Sequence, residues 1–224
     1  MGLPTTDRVT LGRMQNPVRG FLHGGAALLA MAGTVLLLVR APSWQSRFAL
    51  AAFGFGLVAL YTTSSLYHSI PWRHAWKGRM QRMDHSMIFV LIAGTYTPVS
   101  AIALDGPLAT VSLVGAWTIA LVGIAQQVLF PRDRNTFGIA MMTTLGWLAL
   151  FIMWPFASRV GVAAVAWFAA GGILYTVGMV MLVTGRPRLW PRVFSYHEAF
   201  HVLVVTASAL HFAATWRYVV PLAV

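Results

Sequence analysis

Residues 160–183 read VGVAAVAWFAAGGILYTVGMVMLV, without one Asp, Glu, Lys, Arg or His. A helix needs about 20 mainly apolar residues to cross a membrane's hydrocarbon core. This run is long enough, and charge closes it on both sides: Arg159 precedes it and GRPR (185–188) follows. Six further runs have the same character, at about 21–39, 48–70, 86–104, 108–130, 137–156 and 196–218. The breaks between them carry Pro, Gly or charge, as in RAPSWQSR (40–47) and PRDRN (131–135). Only 71–83 is expected to form a loop of any length. With 58% of residues apolar and 9% charged, no soluble domain of 224 residues could bury such a surface. The fold class is therefore all-α: a seven-transmembrane-helix bundle, with residues 1–20 as a short cytoplasmic leader and 21–224 as one membrane domain. The run that begins at Phe21 is long enough to stay in the membrane rather than be removed as a signal peptide.

Charge orients the bundle. Twelve of the sixteen Lys and Arg fall in the leader and in the second, fourth and sixth connections, for example Arg73, Lys77, Arg79 and Arg82. Arg40, Arg47, Arg159 and Arg217 fall on the other side. Positive charge collects in the cytoplasm, so the N-terminus is expected inside and the C-terminus outside, in the cell's inner (plasma) membrane. The net charge of +11 is accounted for by these flanks, and no nucleic-acid partner is implied.

Ionisable groups within spans are costly and point to function. The chain has no Cys, so a transition metal must be held by His, Asp or Glu. His197 and His201 lie four apart, and on a helix both imidazoles share one face, a half-site for zinc. His68 closes the second span, with Ser64 one turn away on the same face, and Asp84 opens the third. Measured along the axis from the nearest basic loop residue, His68 is ~8 Å deep, Asp84 ~3 Å and His201 ~14 Å. Three helices thus bring metal-binding groups to one depth range near the cytoplasmic face. Asp7, Asp105 and Asp133 fall in the leader or in loops, as does His74. His85 and His211 read as packing histidines, and His23 as an interfacial one. Tyr67 and the Trp residues read as interfacial anchors, and Ser64 as a hydroxyl that either supports His68 one turn away or bonds back to a helix carbonyl.

Three stretches together resemble the hemolysin III family of bacterial membrane proteins, relatives of the progestin and adipoQ receptors. They are Ser64-Ser65-Leu66-Tyr67-His68, DHSMIFVLIAGTYTPV (84–99) and HEAFH (197–201). The resemblance covers nearly the whole chain and implies a seven-helix bundle with Zn2+ near the cytoplasmic face. It implies His68, His197 and His201 as ligands, Asp84 at the water beside the zinc, and Ser64 in support. That family's first helix opens with a Glu and an Asn ahead of a His. Here His23 fits, but Arg19 stands four residues before it and Asn16 falls near the place of the Glu, which leaves that acid's role open.

HEAFH also matches the H-E-x-x-H of zinc proteases, in which the Glu is the general base. LDG (104–106) matches a second motif of intramembrane proteases. Asp105, however, is expected on the outer side, across a core ~30 Å thick, so the protease reading fails on depth. Glu198 is left as a buried or interfacial acid of unassigned role.

Three functions remain open. One is a zinc-dependent hydrolase of lipid amide or ester bonds, with a membrane lipid as substrate and Asp84 and Ser64 in the catalytic apparatus. The wider superfamily contains ceramide-cleaving relatives. The second is a non-enzymatic sensor or regulator in which zinc staples helices together. The third, a hemolytic pore, has little support, because no span carries a repeated line of polar residues.

Overall fold

The computed structural model describes residues 14, 16–130, 136–190 and 193–223. It contains seven helical stretches long and apolar enough to span a membrane, in the expected order. The helices are α1 (Pro17–Arg40), α2 (Trp44–Ser69), α3 (His74–Ala103), α4 (Gly106–Leu129), α5 (Thr136–Trp147), α6 (Leu150–Val160), α7 (Val162–Thr184) and α8 (Tyr196–Ala214). Beyond α8 the chain runs on through a π-helical turn, Thr215–Val219, and a 3-10 turn, Val220–Leu222. An isolated bridge pairs Trp190 with Phe194.

The ends of the helices follow from local sequence. Pro17 sits in the first turn of α1, where its missing N–H leaves no helical bond unmade. Ser43 and Ser46 cap α2 reciprocally, each side chain meeting the other's backbone N–H at 3.2 Å. At the α3–α4 corner Gly106 takes φ +62°, a value suited to a residue without Cβ.

In a lipid environment helices gain little from hiding apolar surface, so close packing of small residues decides which of them touch. Here α2 and α3 form the enclosed centre, their apolar windows 56% and 67% buried against at most 33% for the other spans. Their backbones meet directly. A Cβ on Gly56 would stand 2.9 Å from Leu91 Cα, and one on Gly94 would stand 2.7 Å from the Ala52 carbonyl oxygen. Large side chains such as Leu29, Phe151 and Trp154 face outward, where the hydrocarbon would be.

Two elements differ from expectation. Most of the loop expected at 71–83 is helix, because α3 starts at His74 and not near Ser86. Residues such as Lys77, Arg79, Met80 and Gln81 are good helix formers. The α-helix therefore outruns the apolar span, and Asp84 lies well inside α3 instead of opening it. The fifth span is broken into α5 and α6. At the break Ala149 N–H turns to Gly146 O, and the Leu145 carbonyl accepts the Tyr96 hydroxyl of α3 at 2.9 Å. A helix can break inside a membrane where a neighbour satisfies the freed backbone group in this way. Of the expected leader, residues 1–13 and 15 lie outside the described residues, while 17–20 form the first turn of α1.

Candidate metal centre

His68 lies in the last turn of α2, and His197 and His201 lie in the first two turns of α8. Their side chains converge. One ligand atom from each imidazole lies within 4.8 Å of both others. His68 and His201 are 3% and 2% exposed, and His197 is half-buried. A ligand nitrogen stands 2.0–2.1 Å from zinc, so the ring centroids of tetrahedral imidazole ligands fall about 5 Å apart. The observed separations are 5.4 Å for His68–His197, 4.9 Å for His68–His201 and 5.0 Å for His197–His201. His201 Nδ1 is buried without a hydrogen-bond partner. Three imidazoles converging at this spacing, one of them with an unpartnered buried nitrogen, fit a transition-metal ion.

The surrounding contacts hold this geometry. The Asn16 N–H donates to the His68 carbonyl at 3.1 Å, capping α2 at the ligand itself. Ser65 Oγ donates to the Gly20 carbonyl at 2.8 Å and ties α1 to α2 at the same level. The sequence HEAFH begins α8 through a capping box: Glu198 Oε2 accepts the Ser195 N–H at 2.8 Å. Its other oxygen, Oε1, accepts Arg19 Nε at 2.7 Å in a buried ion pair between α8 and α1.

Asp84 and Ser64 lie next to one another, on α3 and α2. The Ser64 hydroxyl of α2 is within reach of the Asp84 carboxylate of α3, and both residues are buried. The Tyr67 ring lies 4.8 Å from that of His68. Asp84 itself stands outside the three-histidine ligand group.

The other ionisable residues divide clearly. His211 is a packing histidine, its Nε2 3.0 Å from the Phe168 carbonyl. Asp105 is mostly exposed and paired with Arg159 at the far end of α3, ~30 Å along the helix from Asp84. Glu198 has one oxygen on Arg19 and the other on the Ser195 N–H, so it is built into the helix cap rather than poised as a base. The H-E-x-x-H spacing therefore describes a ligand pair and a cap. His23, expected at the interface, is instead buried with its ring 4.0 Å from that of His201. Arg19, counted among the orienting charges, is buried beside the site. The clue to both lay in α1 itself, where Gly20 and Gly24 flank His23 and permit close approach to α2.

The haemolysin-III related family model matches residues 12–212. The chain is 33% identical over 204 residues to Hemolysin-3 of Bacillus cereus, covering 90% of each protein. It is 24% identical over 205 residues to the human monocyte to macrophage differentiation factor, covering 88% of this chain and 82% of the relative. It is 23% identical over 211 residues to the adiponectin receptor protein of Drosophila melanogaster, covering 82% of this chain and 46% of that one.

Proposed function

The chain belongs to the haemolysin-III related family, and on that premise we propose that it is a zinc-dependent hydrolase of lipid amide or ester bonds. In this reading it lies in the inner (plasma) membrane with its N-terminus and metal site on the cytoplasmic side. The observation that carries the reading is the donor set: three converging imidazoles, two of them buried, with the Asp84 carboxylate outside the group. Zinc in a three-imidazole site supplies Lewis acidity toward a carbonyl and makes water more acidic. His68, His197 and His201 would hold the ion. Asp84, oriented by Ser64, takes the proton from the attacking water and passes it to the leaving amine or alcohol. The surrounding helices keep bulk water from the bond being cut, and a membrane lipid can approach laterally. The reading is tested by incubating purified protein with a panel of lipid amides and esters. Release of fatty acid by wild type, and none by the metal-stripped protein or His201→Ala, is the expected result; no release from any lipid overturns it.

One observation favours a second, non-enzymatic reading. The three ligands come from α2 and α8 alone, so a bound ion would stitch the second span to the last. In that case removing the metal lowers stability and no turnover is found.

A further inference from the structure

His23 takes no part in the roles assigned so far. It lies on α1, its side chain is 3% exposed, and neither Nδ1 nor Nε2 makes a hydrogen bond of good geometry, although the His201 backbone is close to the ring. A neutral imidazole presents one donor and one acceptor. Burying both without partners is unfavourable, and native proteins seldom do it without reason. Its position is well determined. The ring stacks on His201 at 4.0 Å with a 34° tilt, and it meets Tyr61 edge-on at 5.1 Å. On the same helix Gly24 passes so close to α2 that a Cβ there would stand 3.1 Å from Ser65 Oγ. With Ser65 also bonded to Gly20, α1 is pinned against α2 beside the ring.

Two roles compete for such a residue. A fourth metal ligand would place its ring about 5 Å from the other imidazoles, as tetrahedral ligands require. The 4.0 Å stack on His201 is too close for that, and His23 contributes no atom to the ligand group. The other role is contact with the molecule that occupies the site. A buried neutral imidazole suits an uncharged group that both donates and accepts, such as a hydroxyl or an amide.

We propose that His23 is a ligand-recognition residue: it hydrogen-bonds a hydroxyl or amide group of the molecule bound beside His68, His197 and His201, and it does not hold the metal. This rests on the metal-site reading above and narrows the substrate class to lipids carrying such a group near the bond that is cut.

The test uses the full chain in detergent, loaded with Co2+ as a visible reporter. Octanohydroxamic acid is the probe, since it binds metals and carries both N–H and O–H groups. His23→Phe keeps the ring and the stack but removes both nitrogens, and His23→Asn restores a donor and an acceptor. Expected for His23→Phe are Co2+ affinity within about threefold of wild type and hydroxamate binding weakened at least about tenfold, with His23→Asn recovering most of the loss. Loss of Co2+ from His23→Phe, as from His201→Ala, would make His23 a ligand and overturn the proposal. Unchanged hydroxamate binding would make it a packing residue, with the same result. Wild type that binds no Co2+ brings down the metal reading itself, and this inference with it. A measurement free of variants is the 15N imidazole spectrum of the zinc-loaded wild type. The His23 resonances are expected to shift when hydroxamate is added, and no shift overturns the proposal.

Discussion

Arg19 on the first helix and Glu198 on the last are joined by a 2.7 Å ion pair, buried beside the histidine cluster. Glu198 stands between the two α8 ligands in sequence, so the pair sets where α8 begins against α1. Removing one partner strands a charge away from water, a loss of about 3–5 kcal/mol. Glu198→Ala is therefore expected to lower the thermal midpoint strongly. Replacing both partners with Met, which leaves no orphaned charge, should recover most of it. A double-mutant cycle on melting temperature in detergent checks this, and a loss in the double variant equal to the sum of the two single losses would show that the pair is not coupled.

Metal content is the most direct check on the site. Purified wild type is expected to carry about one zinc per chain, and His68→Ala and His201→Ala little or none. Binding to the folded state alone stabilises by about 2.7 kcal/mol at a hundred times the dissociation constant. Stripping the metal should therefore lower the melting temperature of wild type and leave the His→Ala variants unmoved. Elemental analysis with parallel melts reads both.

Asp84 and Ser64 are expected to separate from the ligands. Asp84→Asn should keep its zinc while losing about 10²–10⁴-fold in lipid hydrolysis, the usual worth of a positioned acid–base group. Ser64→Ala, which removes only the hydroxyl beside Asp84, should lose less. Asp105→Ala should change neither zinc content nor hydrolysis, because Asp105 is paired with Arg159 at the other end of α3. Asp84→Asn losing its zinc would move Asp84 into the ligand set.

The direct contact of α2 and α3 gives a packing prediction. Gly94→Val forces a side chain against the Ala52 carbonyl and should destabilise by about 1–3 kcal/mol, the usual effect of overpacking. Gly115→Ala is the control. A Cβ there meets nothing within 4 Å, and helix propensity favours Ala over Gly by about 1 kcal/mol. Thermal melts of the two variants should move in opposite directions.

Orientation is tested by reporter fusions at the connections. The excess of Lys and Arg in the second, fourth and sixth connections predicts a cytoplasmic signal there and an external one after residue 223. The reverse pattern would move the histidines to the outer face.

The sequence by itself determined what depends on position along the chain. Seven apolar runs are seven spans because hydrocarbon thickness sets helix length, and the His197–His201 spacing puts both rings on one face because the helical period is local. His68 and Asp84 share the histidines' depth range for the same axial reason. Only the tertiary structure decided what lies beside what. Axial depth says nothing of azimuth, so the sequence could not show that α1 turns His23 onto His201 and Arg19 onto Glu198. Nor could hydropathy separate a helix from its apolar part. The ten residues of α3 before Asp84 are helical but charged, and the break in the fifth span depends on the Tyr96 hydroxyl of another helix.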